Sequence, residues 1–340
     1  MHLVTGGSGF LGNLIVKKLV EKGESVRVLD IWDSPDRPES VEYFEADIRD
    51  RRKVAIAMKG VKIVHHNVAL VPLTKSGKKF WEVNVVGSKI AAEEAVKSNV
   101  NAFIHMSSSA LYGVPQCPIN NNTQTKPIEI YGKGKLAGEI AAEKACKEGG
   151  LSFISIRPRT ILGEGRLGIF QILFQWISEG KNVYTIGNGN IKFQFVHAHD
   201  LMDFYMLALK HKKPGKYNVG SSQFGTLRED LEYIIDKARS SSKVKSLPEK
   251  LSISALKILD SLGLSPLAPW HYLTYSKPFY FDVKPLIDMG WIPKYSNREM
   301  LLESYNWFIN NKETYVEREN ASAHRKSVKQ GILKLIKFFS

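Results

Sequence analysis

A glycine-rich turn between a short apolar strand and a helix places the strongest constraint on the fold of this chain. Residues 2–5 have the apolar character of a strand, glycines recur at Gly6, Gly9 and Gly12, and residues 13–21 have the apolar spacing of a helix. Glycines at these positions let the backbone approach a pyrophosphate, aim helix N–H groups at it and allow helix and strand to pack closely. The turn therefore predicts a dinucleotide site.

A carboxylate after the second strand supports that interpretation. Residues 25–29 form the next predicted strand, and Asp30 follows it, 18 residues after Gly12. A carboxylate in this place can accept hydrogen bonds from both hydroxyls of a ribose and would repel a 2′-phosphate. The sequence therefore predicts NAD rather than NADP as the cofactor.

Short apolar strands continue to alternate with amphipathic helices through the first half of the chain. Further strands are predicted at residues 41–46, 61–66, 101–106 and 151–156, and the helices between them include residues 78–98 and 129–148. Such alternation calls for a parallel sheet covered on both faces, and right-handed crossovers make it doubly wound. The predicted fold class is α/β, a Rossmann-like doubly wound parallel sheet with a smaller C-terminal substrate lobe.

Ligands of such sheets bind at the carboxyl ends of the strands. By this rule one crevice collects the residues that follow the strands, namely Gly6, Asp30, Asp47, Asn67 and residues 107–109. A serine hydroxyl in that crevice could donate to a substrate oxygen, although serines after a strand also form turns.

Tyr131 and Lys135 are four residues apart on the predicted helix 129–148, so their side chains share one face. A nearby ammonium favours the phenolate and lowers the pKa of a tyrosine from about 10. The pair therefore predicts a general base that works near neutral pH.

The second half of the chain is less regular. Residues 238–249 are polar and lysine-rich and are predicted to be a surface linker, whereas residues 251–262 are predicted to be a helix. Residues 265–278 combine three prolines with aromatic side chains, which favours a packed irregular loop over a substrate lid. The predicted domains are 1–160 with returning segments from 190–220 for NAD, 161–312 for the substrate, and 313–340 as a basic amphipathic tail.

The formal net charge of +14 favours an anionic partner, and part of the excess lies in the tail. Between Ile332 and Phe339, six apolar residues interleave with Lys334 and Lys337, a composition that suits the surface of an anionic membrane. A disordered or partner-packed C-terminus is the alternative. The body of the chain has no basic stripe with interleaved aromatic residues, so nucleic acid is not an expected partner.

The chain has no run of eighteen apolar residues and begins with a predicted strand, so neither a spanning helix nor a signal peptide is expected. Cys117 and Cys146 lack metal-ligand spacing, and no metal site is predicted. The expected location is the cytoplasm, with a peripheral place at the inner face of a membrane if the tail binds lipid.

In this order the motifs resemble those of the extended short-chain dehydrogenase/reductase family, its NAD-dependent epimerase/dehydratase group in particular, over residues 1–312. Further matches are His66 to Ala69, Val83 to Gly87, Arg157-Pro158 and Phe195 to Asp200. The resemblance implies the catalytic set Ser108, Tyr131 and Lys135. It implies cofactor contacts at Gly6, Gly9, Phe10, Leu11, Gly12, Asp30, Asp47, Ile48, Asn67, Ala69, Asn84, Tyr131, Lys135 and Arg157.

The position of the family's hydroxyl donor singles out Ser108 among three serines. That donor lies four residues before the tyrosine of a Tyr-Gly pair, which here is Tyr112-Gly113. Dehydration is not expected, because Ser109-Ala110 replaces the Asp-Glu pair of the family's dehydratases.

The resemblance leaves three functions open. The first is an NAD-dependent epimerase that acts on a sugar nucleotide through a transient keto intermediate, with Tyr131 as the base. The second is an NAD-dependent dehydrogenase of a steroid-like or lipid-linked apolar alcohol, and the third is a non-catalytic NAD-binding sensor or scaffold. The family often pairs through two long helices, here 78–98 and 129–148, which implies a homodimer.

Two departures from the family bear on the substrate. Nucleotide-sugar epimerases of the group often hold the diphosphate with an arginine where this chain has Phe193, and Lys277 stands in place of a second arginine. Lysine lacks the bidentate fork of arginine. Both departures weigh against a nucleotide diphosphate. The aromatic segment 265–278 and the amphipathic tail fit an apolar substrate, as in the related hydroxysteroid dehydrogenase branch.

Overall fold

The computed structural model describes residues 1–71, 78–262, 265, 267 and 269–316. The chain divides into two units, the first made of Met1–Tyr112, Ile130–Pro158 and Leu201–Val219. The second unit comprises Gly113–Glu129, Arg159–Asp200 and the described residues from Gly220 onward. The apolar and basic part of the predicted tail, from residue 317, lies outside the described residues.

The strands follow the predicted apolar segments closely in the first half of the chain. Their bounds are β1 His2–Thr5, β2 Val26–Asp30, β3 Glu42–Glu45, β4 Ile63–His66, β5 Ala102–Met106, β6 Ser152–Pro158, β7 Thr160–Leu162, β8 Val183–Ile186, β9 Phe195–His197, β10 Gly215–Val219 and β11 Val244–Leu247. In the first unit, seven of the described strands form a parallel sheet in the order β10-β6-β5-β4-β1-β2-β3. The order reverses between β1 and β4, which confirms the doubly wound Rossmann-like sheet.

Helices lie between many of these strands, and the last four described helices follow one another after β11. Their bounds are α1 Phe10–Glu21, α2 Arg51–Ala57, α3 Lys79–Trp81, α4 Ser88–Lys97, α5 Ile130–Glu148, α6 Phe170–Ser178, α7 Ala198–His211, α8 Leu227–Lys237, α9 Glu249–Ser261, α10 Pro269–Thr274, α11 Lys284–Asp288 and α12 Asn297–Val316. Among them, none combines the length and apolar character that crossing a membrane requires.

One layer of helices packs on the sheet through small and branched side chains. Ala92 of α4 and Ala142 of α5 are fully buried against the sheet residues Leu3, Val64 and Phe103. Each fully buried leucine, valine or phenylalanine contributes about 1.5–3 kcal/mol to the hydrophobic free energy of folding. This layer fixes α5, the helix that carries Tyr131 and Lys135, on the strands.

The predicted continuous helix 78–98 is interrupted in the structure. A π-helical turn, Glu82–Gly87, lies between α3 and α4. On the neighbouring helix α5, a Cβ added to Gly138 would lie 2.0 Å from the backbone oxygen of Asn84, so backbone meets backbone at this turn. Single π-helical turns are frequent at functional sites.

The second unit differs from the sequence prediction in two places. Residues 238–249 are not only a linker, because β11 lies within them and pairs in parallel with β8. Residues 265–278 are not entirely irregular, because α10 forms there and buries Trp270 and Tyr272. A second short parallel pair, β7 with β9, completes the described strands of this unit.

Candidate active site

The glycine turn has the close backbone contacts that the sequence predicts. Gly6 has a φ of +70°, and an added Cβ would lie 2.9 Å from the backbone nitrogen of Val68. A Cβ on Gly12 would lie 2.0 Å from the oxygen of Gly6. A side chain at either position would collide with this backbone, so only glycine lets the turn pack this closely at the start of α1, which begins at Phe10 and Leu11.

Asp30 lies beside the glycine turn and is oriented by it. Its carboxylate accepts hydrogen bonds from the backbone nitrogens of Ser8, at 3.0 Å, and Ile31, at 2.8 Å. Burial raises the pKa of Asp30, and these N–H groups partly offset the shift. The structure therefore holds one carboxylate at the end of β2, within hydrogen-bond reach of the glycine turn.

Asp47 and Ile48 follow β3. The Asp47 carboxylate pairs with Arg49 at 2.6 Å, and this hydrogen bond lowers the pKa of Asp47. Ile48 is buried, and its Cγ2 would be 2.6 Å from a Cβ on Gly87. Ile48 therefore packs under the π-helical turn, and the cofactor contacts of both residues stay predictions.

The loop after β4 carries an amide with no partner in the described structure. Both the Oδ1 and the Nδ2 of Asn67 are buried and lack a hydrogen bond there. The backbone nitrogen of Asn67 donates to the oxygen of Thr5 at 3.1 Å, which ties the loop to β1. An orphaned buried amide is costly, so this loop, with Ala69 two residues further on, fits a polar ligand.

Asn84 shapes the same loop from the π-helical turn. Its Oδ1 accepts from the backbone nitrogen of Leu70 at 2.8 Å, and its Nδ2 donates to the Leu70 oxygen at 3.1 Å. Both ends of the amide are thus bonded to the backbone of the loop. The structure gives Asn84 a role in positioning residues 67–70, and a direct cofactor contact stays a prediction.

The buried side chain of His66 has a hydrogen-bonding role that the sequence did not predict, and it completes this arrangement. Ser88 donates to the backbone oxygen of Asn84 at 2.8 Å, so its hydroxyl oxygen accepts from His66 Nε2 at 2.9 Å. His66 Nδ1 must then accept from the Thr5 hydroxyl at 2.8 Å. The hydrogen-bonded chain from Thr5 to Asn84 links β1 to the π-helical turn through a neutral imidazole.

Lys135 is anchored beneath the end of β5. Its Nζ is buried and donates to the backbone oxygen of Met106 at 2.6 Å. Burial lowers the pKa of Lys135 to about 8, with the charge of Glu139 acting in the opposite direction. Tyr131 lies one helical turn earlier on α5 and is half-buried.

Ser108 follows β5 by two residues. Its hydroxyl oxygen accepts a hydrogen bond from the backbone nitrogen of Ala110 at 3.1 Å, at the start of the 3₁₀ turn Ser109–Tyr112. Helix α5 packs against this turn. The serine segment and the Tyr131–Lys135 helix are therefore neighbours in the first unit.

Arg157 is buried on β6 away from open solvent. Its Nε donates to Glu139 at 3.1 Å, its Nη1 donates to Tyr112 at 2.7 Å, and its Nη2 also pairs with Glu139. All three nitrogens therefore have protein partners. The structure assigns Arg157 to packing within the sheet, and a cofactor contact by it stays a prediction.

An aromatic cluster surrounds Phe193 in the second unit. Phe193 is fully buried, with ring centroids of Tyr275 at 4.9 Å and Phe195 at 5.3 Å. The guanidinium of Arg159, which the sequence reasoning missed, stacks over the rings of Phe193 at 4.8 Å and Phe279 at 4.0 Å. Lys277 pairs with Glu249 at 2.6 Å.

In the described residues no group of histidine, cysteine or acidic side chains could hold a metal ion.

Comparison with known proteins identifies the family of the chain. A model of the NAD dependent epimerase/dehydratase family matches residues 2–220. The chain is 40% identical to the uncharacterized protein y4nG of Sinorhizobium fredii, over 99% of this chain and 85% of that protein. It is 31% identical to the UDP-glucose 4-epimerase of Lactobacillus helveticus, over 68% of this chain and 79% of that protein.

Two further proteins are similar over different extents. The decarboxylating sterol-4-alpha-carboxylate 3-dehydrogenase of Mus musculus is 32% identical, over 61% of this chain and 59% of that protein. The crystal structure of UDP-glucuronic acid 4-epimerase from Bacillus cereus in complex with NAD has a TM-score of 0.74 at 18% identity, over 91% of this chain and 98% of that chain. The chain therefore belongs to the NAD dependent epimerase/dehydratase family and is an NAD-dependent enzyme of the extended short-chain dehydrogenase/reductase type.

Proposed function

We propose that this enzyme is an epimerase that acts on a sugar nucleotide through a transient keto intermediate. The observation that carries the proposal is the buried ammonium of Lys135, one helical turn after Tyr131 and anchored to Met106 at 2.6 Å. The UDP-glucose 4-epimerase of Lactobacillus helveticus, at 31% identity, supports the substrate class.

The residues that would hold the cofactor come from three loops of the first unit. The glycine turn would receive the pyrophosphate, and the Asp30 carboxylate would accept from the ribose hydroxyls. The amide of Asn67, which has no partner among the described residues, would satisfy a further polar group. When bound, NAD accepts a hydride from the substrate's carbinol carbon and returns it.

Tyr131 would remove the proton from the substrate hydroxyl. Lys135 would favour its phenolate by charge, since an ammonium on the same helix face stabilises a negative oxygen. Ser108 would donate to the substrate oxygen and stabilise the charge that develops there. In an epimerase the keto intermediate turns over before reduction, and net oxidation is zero.

The experiment that tests this function measures the configuration of the sugar in the product. Purified enzyme is incubated with a panel of UDP-sugars, and the products are resolved by proton NMR. Interconversion of a C4 pair without accumulation of NADH absorbance supports the proposal, and Tyr131→Phe should lower the rate at least about 100-fold. Full activity of Tyr131→Phe would contradict the assigned base.

A second candidate is a dehydrogenase of an apolar alcohol. Phe193, in a buried aromatic cluster, stands at the sequence position where a diphosphate-binding arginine is expected, and Lys277 is paired with Glu249. The similarity to a sterol-4-alpha-carboxylate 3-dehydrogenase points the same way. Stoichiometric NADH formation from a sterol alcohol, with no UDP-sugar interconversion, would select this candidate.

A further inference from the structure

An exposed apolar stripe runs along helix α9 of the second unit. Leu251 is 72% exposed, Ile258 is 61% exposed and Leu262, the residue that caps the helix, is 64% exposed. Ala255, also exposed, lies between them. Because these positions follow the i, i+4, i+7, i+11 spacing, the four side chains share one face over about 16 Å.

The helix is attached to the unit by its other face. It packs on β8 and α10, yet none of its residues is buried. Ile253 and Leu256 on the attached face are half-buried. A surface helix normally turns its apolar stripe toward the core, and single exposed apolar residues are ordinary, whereas a contiguous exposed stripe indicates a binding surface.

Cationic side chains flank the stripe. Residues 239–262 contain five lysines or arginines and two acidic residues. Lys250 and Lys257 each precede a stripe residue, so they project about 100° around the helix from it. Lys243 and Lys245 are exposed on the strand segment just before α9.

The two acidic residues of this segment lie on the attached side of α9 and already have partners. Glu249 pairs with Lys277 at 2.6 Å. Burial raises the pKa of the Tyr272 phenol, and the charge of Asp260 and its hydrogen bond with that phenol act in the same direction. The solvent side of α9 is therefore apolar along its centre and positive along one flank.

We propose that α9 is an interfacial helix that binds an anionic lipid surface. Leu251, Ile258 and Leu262 would enter the boundary between headgroups and acyl chains, while Lys250 and Lys257 would remain at the level of the lipid phosphates. A second copy of the chain fits less well, because an antiparallel two-fold contact through this stripe would bring the same cationic flank against itself. None of these residues is among those assigned to catalysis, and the proposal does not rest on the proposed substrate.

Vesicle sedimentation of the full chain tests the proposal. Phosphatidylcholine vesicles with phosphatidylserine should retain the wild type in a salt-sensitive way, and vesicles of phosphatidylcholine alone should retain much less. The double variant Leu251→Glu/Ile258→Glu should lose at least about tenfold in partitioning. Replacing Lys250 and Lys257 with Glu should lower retention at least about fivefold on phosphatidylserine vesicles.

Matched controls separate α9 from the tail and from misfolding. Ile292→Glu replaces an isoleucine of the same unit that is 74% exposed and should keep wild-type retention. The α9 double variant should keep NAD binding and circular dichroism, and it should lower retention further in a chain with Lys334→Glu/Lys337→Glu. Equal retention of the wild type and the α9 double variant on vesicles would overturn the proposal. A smaller oligomer mass in the α9 double variant, with unchanged lipid binding, would also overturn it and would indicate a contact between copies of the chain.

Discussion

The ammonium of Lys135 donates to the backbone oxygen of Met106 at 2.6 Å, two residues before Ser108. One hydrogen bond thus joins the helix that carries Tyr131 to the strand that delivers the serine. Because the ammonium is buried, its interaction with a neighbouring phenolate would be screened little by water. The cost of this arrangement is a desolvated cation, and that cost can be measured.

Replacing Lys135 with Met should make the protein more stable and almost inactive. Burial lowers the pKa of Lys135 to about 8 from 10.5, which corresponds to about 3 kcal/mol against the folded state at neutral pH. Methionine removes that cost but leaves the Met106 oxygen without its donor, so a gain below about 3 kcal/mol is expected. Thermal melts and turnover assays at pH 7 measure both effects.

The sign of the pH dependence gives a stricter check of the same variant. In the wild type the unfolded state binds more protons than the folded state between pH 8 and 10.5, so its stability rises over that range. The advantage of Lys135→Met should therefore shrink as the pH increases from 8 to 10.5. An advantage that does not change with pH would show that desolvation of Lys135 is not its cause.

Two glycines on α5 should respond in opposite ways to alanine. A Cβ on Gly138 would lie 2.0 Å from the Asn84 oxygen, whereas one on Gly134 would lie 3.9 Å from the Asn84 side chain. Gly138→Ala should lower the free energy of unfolding by about 2 kcal/mol through overpacking. Gly134→Ala should be neutral or stabilising by up to about 1 kcal/mol, since alanine favours the helix. Urea titration compares the two.

Asp30→Asn should weaken NAD binding and reduce discrimination against NADP. The amide keeps one acceptor for the Ser8 or Ile31 nitrogen but loses the negative charge beside the proposed ribose site. A hydrogen bond to a charged group contributes about 1.5–3 kcal/mol, so a 10- to 100-fold loss in NAD affinity is expected. Isothermal titration with NAD and NADP measures it. An unchanged ratio of the two affinities would remove Asp30 from cofactor selection.

Ile140→Glu should convert a homodimer to a monomer if α3 to α5 form the subunit interface. Ile140 is 54% exposed on α5 and Trp81 is 52% exposed on α3, so both present apolar surface to solvent in the single chain. Light scattering after size-exclusion chromatography measures the mass. Ile287→Glu, at a 42% exposed site on α11, is the control and should leave the mass unchanged.

The parts of the fold that the sequence predicts are those set by local pattern. Short segments with a regular spacing of apolar residues predict the alternation of strands with helices. The same local pattern places the glycine turn after β1 and Asp30 at the end of β2. Ser8 bonding to Asp30 needs only that β1 and β2 be neighbours, which the predicted topology already requires.

The features that the sequence does not reveal depend on distant partners. Val244 to Leu247 lies in a polar, lysine-rich segment, and its strand conformation comes from pairing with β8, about 60 residues earlier. The π-helical turn depends on the close contact between Asn84 and Gly138. The tautomer of His66 depends on its hydrogen bonds with Ser88 and Thr5. A polar residue inside a predicted strand was the available signal for His66.

The buried histidines of β4 and β5 should make the protein sensitive to acid. His66 and His105 are partners in the sheet register and stack with centroids 5.4 Å apart, and burial lowers the pKa of His66 to about 3. Burial also lowers the pKa of His65 and His105 well below the usual value. Their neutral forms stabilise the fold fully above pH 6.5, and that stability is lost as the pH falls below 6.5.

His105→Phe isolates one member of this group. Neither ring nitrogen of His105 has a hydrogen-bond partner in the described structure, so phenylalanine can replace the imidazole between His66 and Phe153 without breaking a bond. We compare the free energy of unfolding of the variant with that of the wild type at pH 7.5 and at pH 5. The difference should shift in favour of the variant by about 2 kcal/mol at the lower pH. His211→Gln, at an exposed site, should show no such change. If the difference in stability between His105→Phe and wild type is the same at both pH values, His105 contributes nothing to the acid sensitivity.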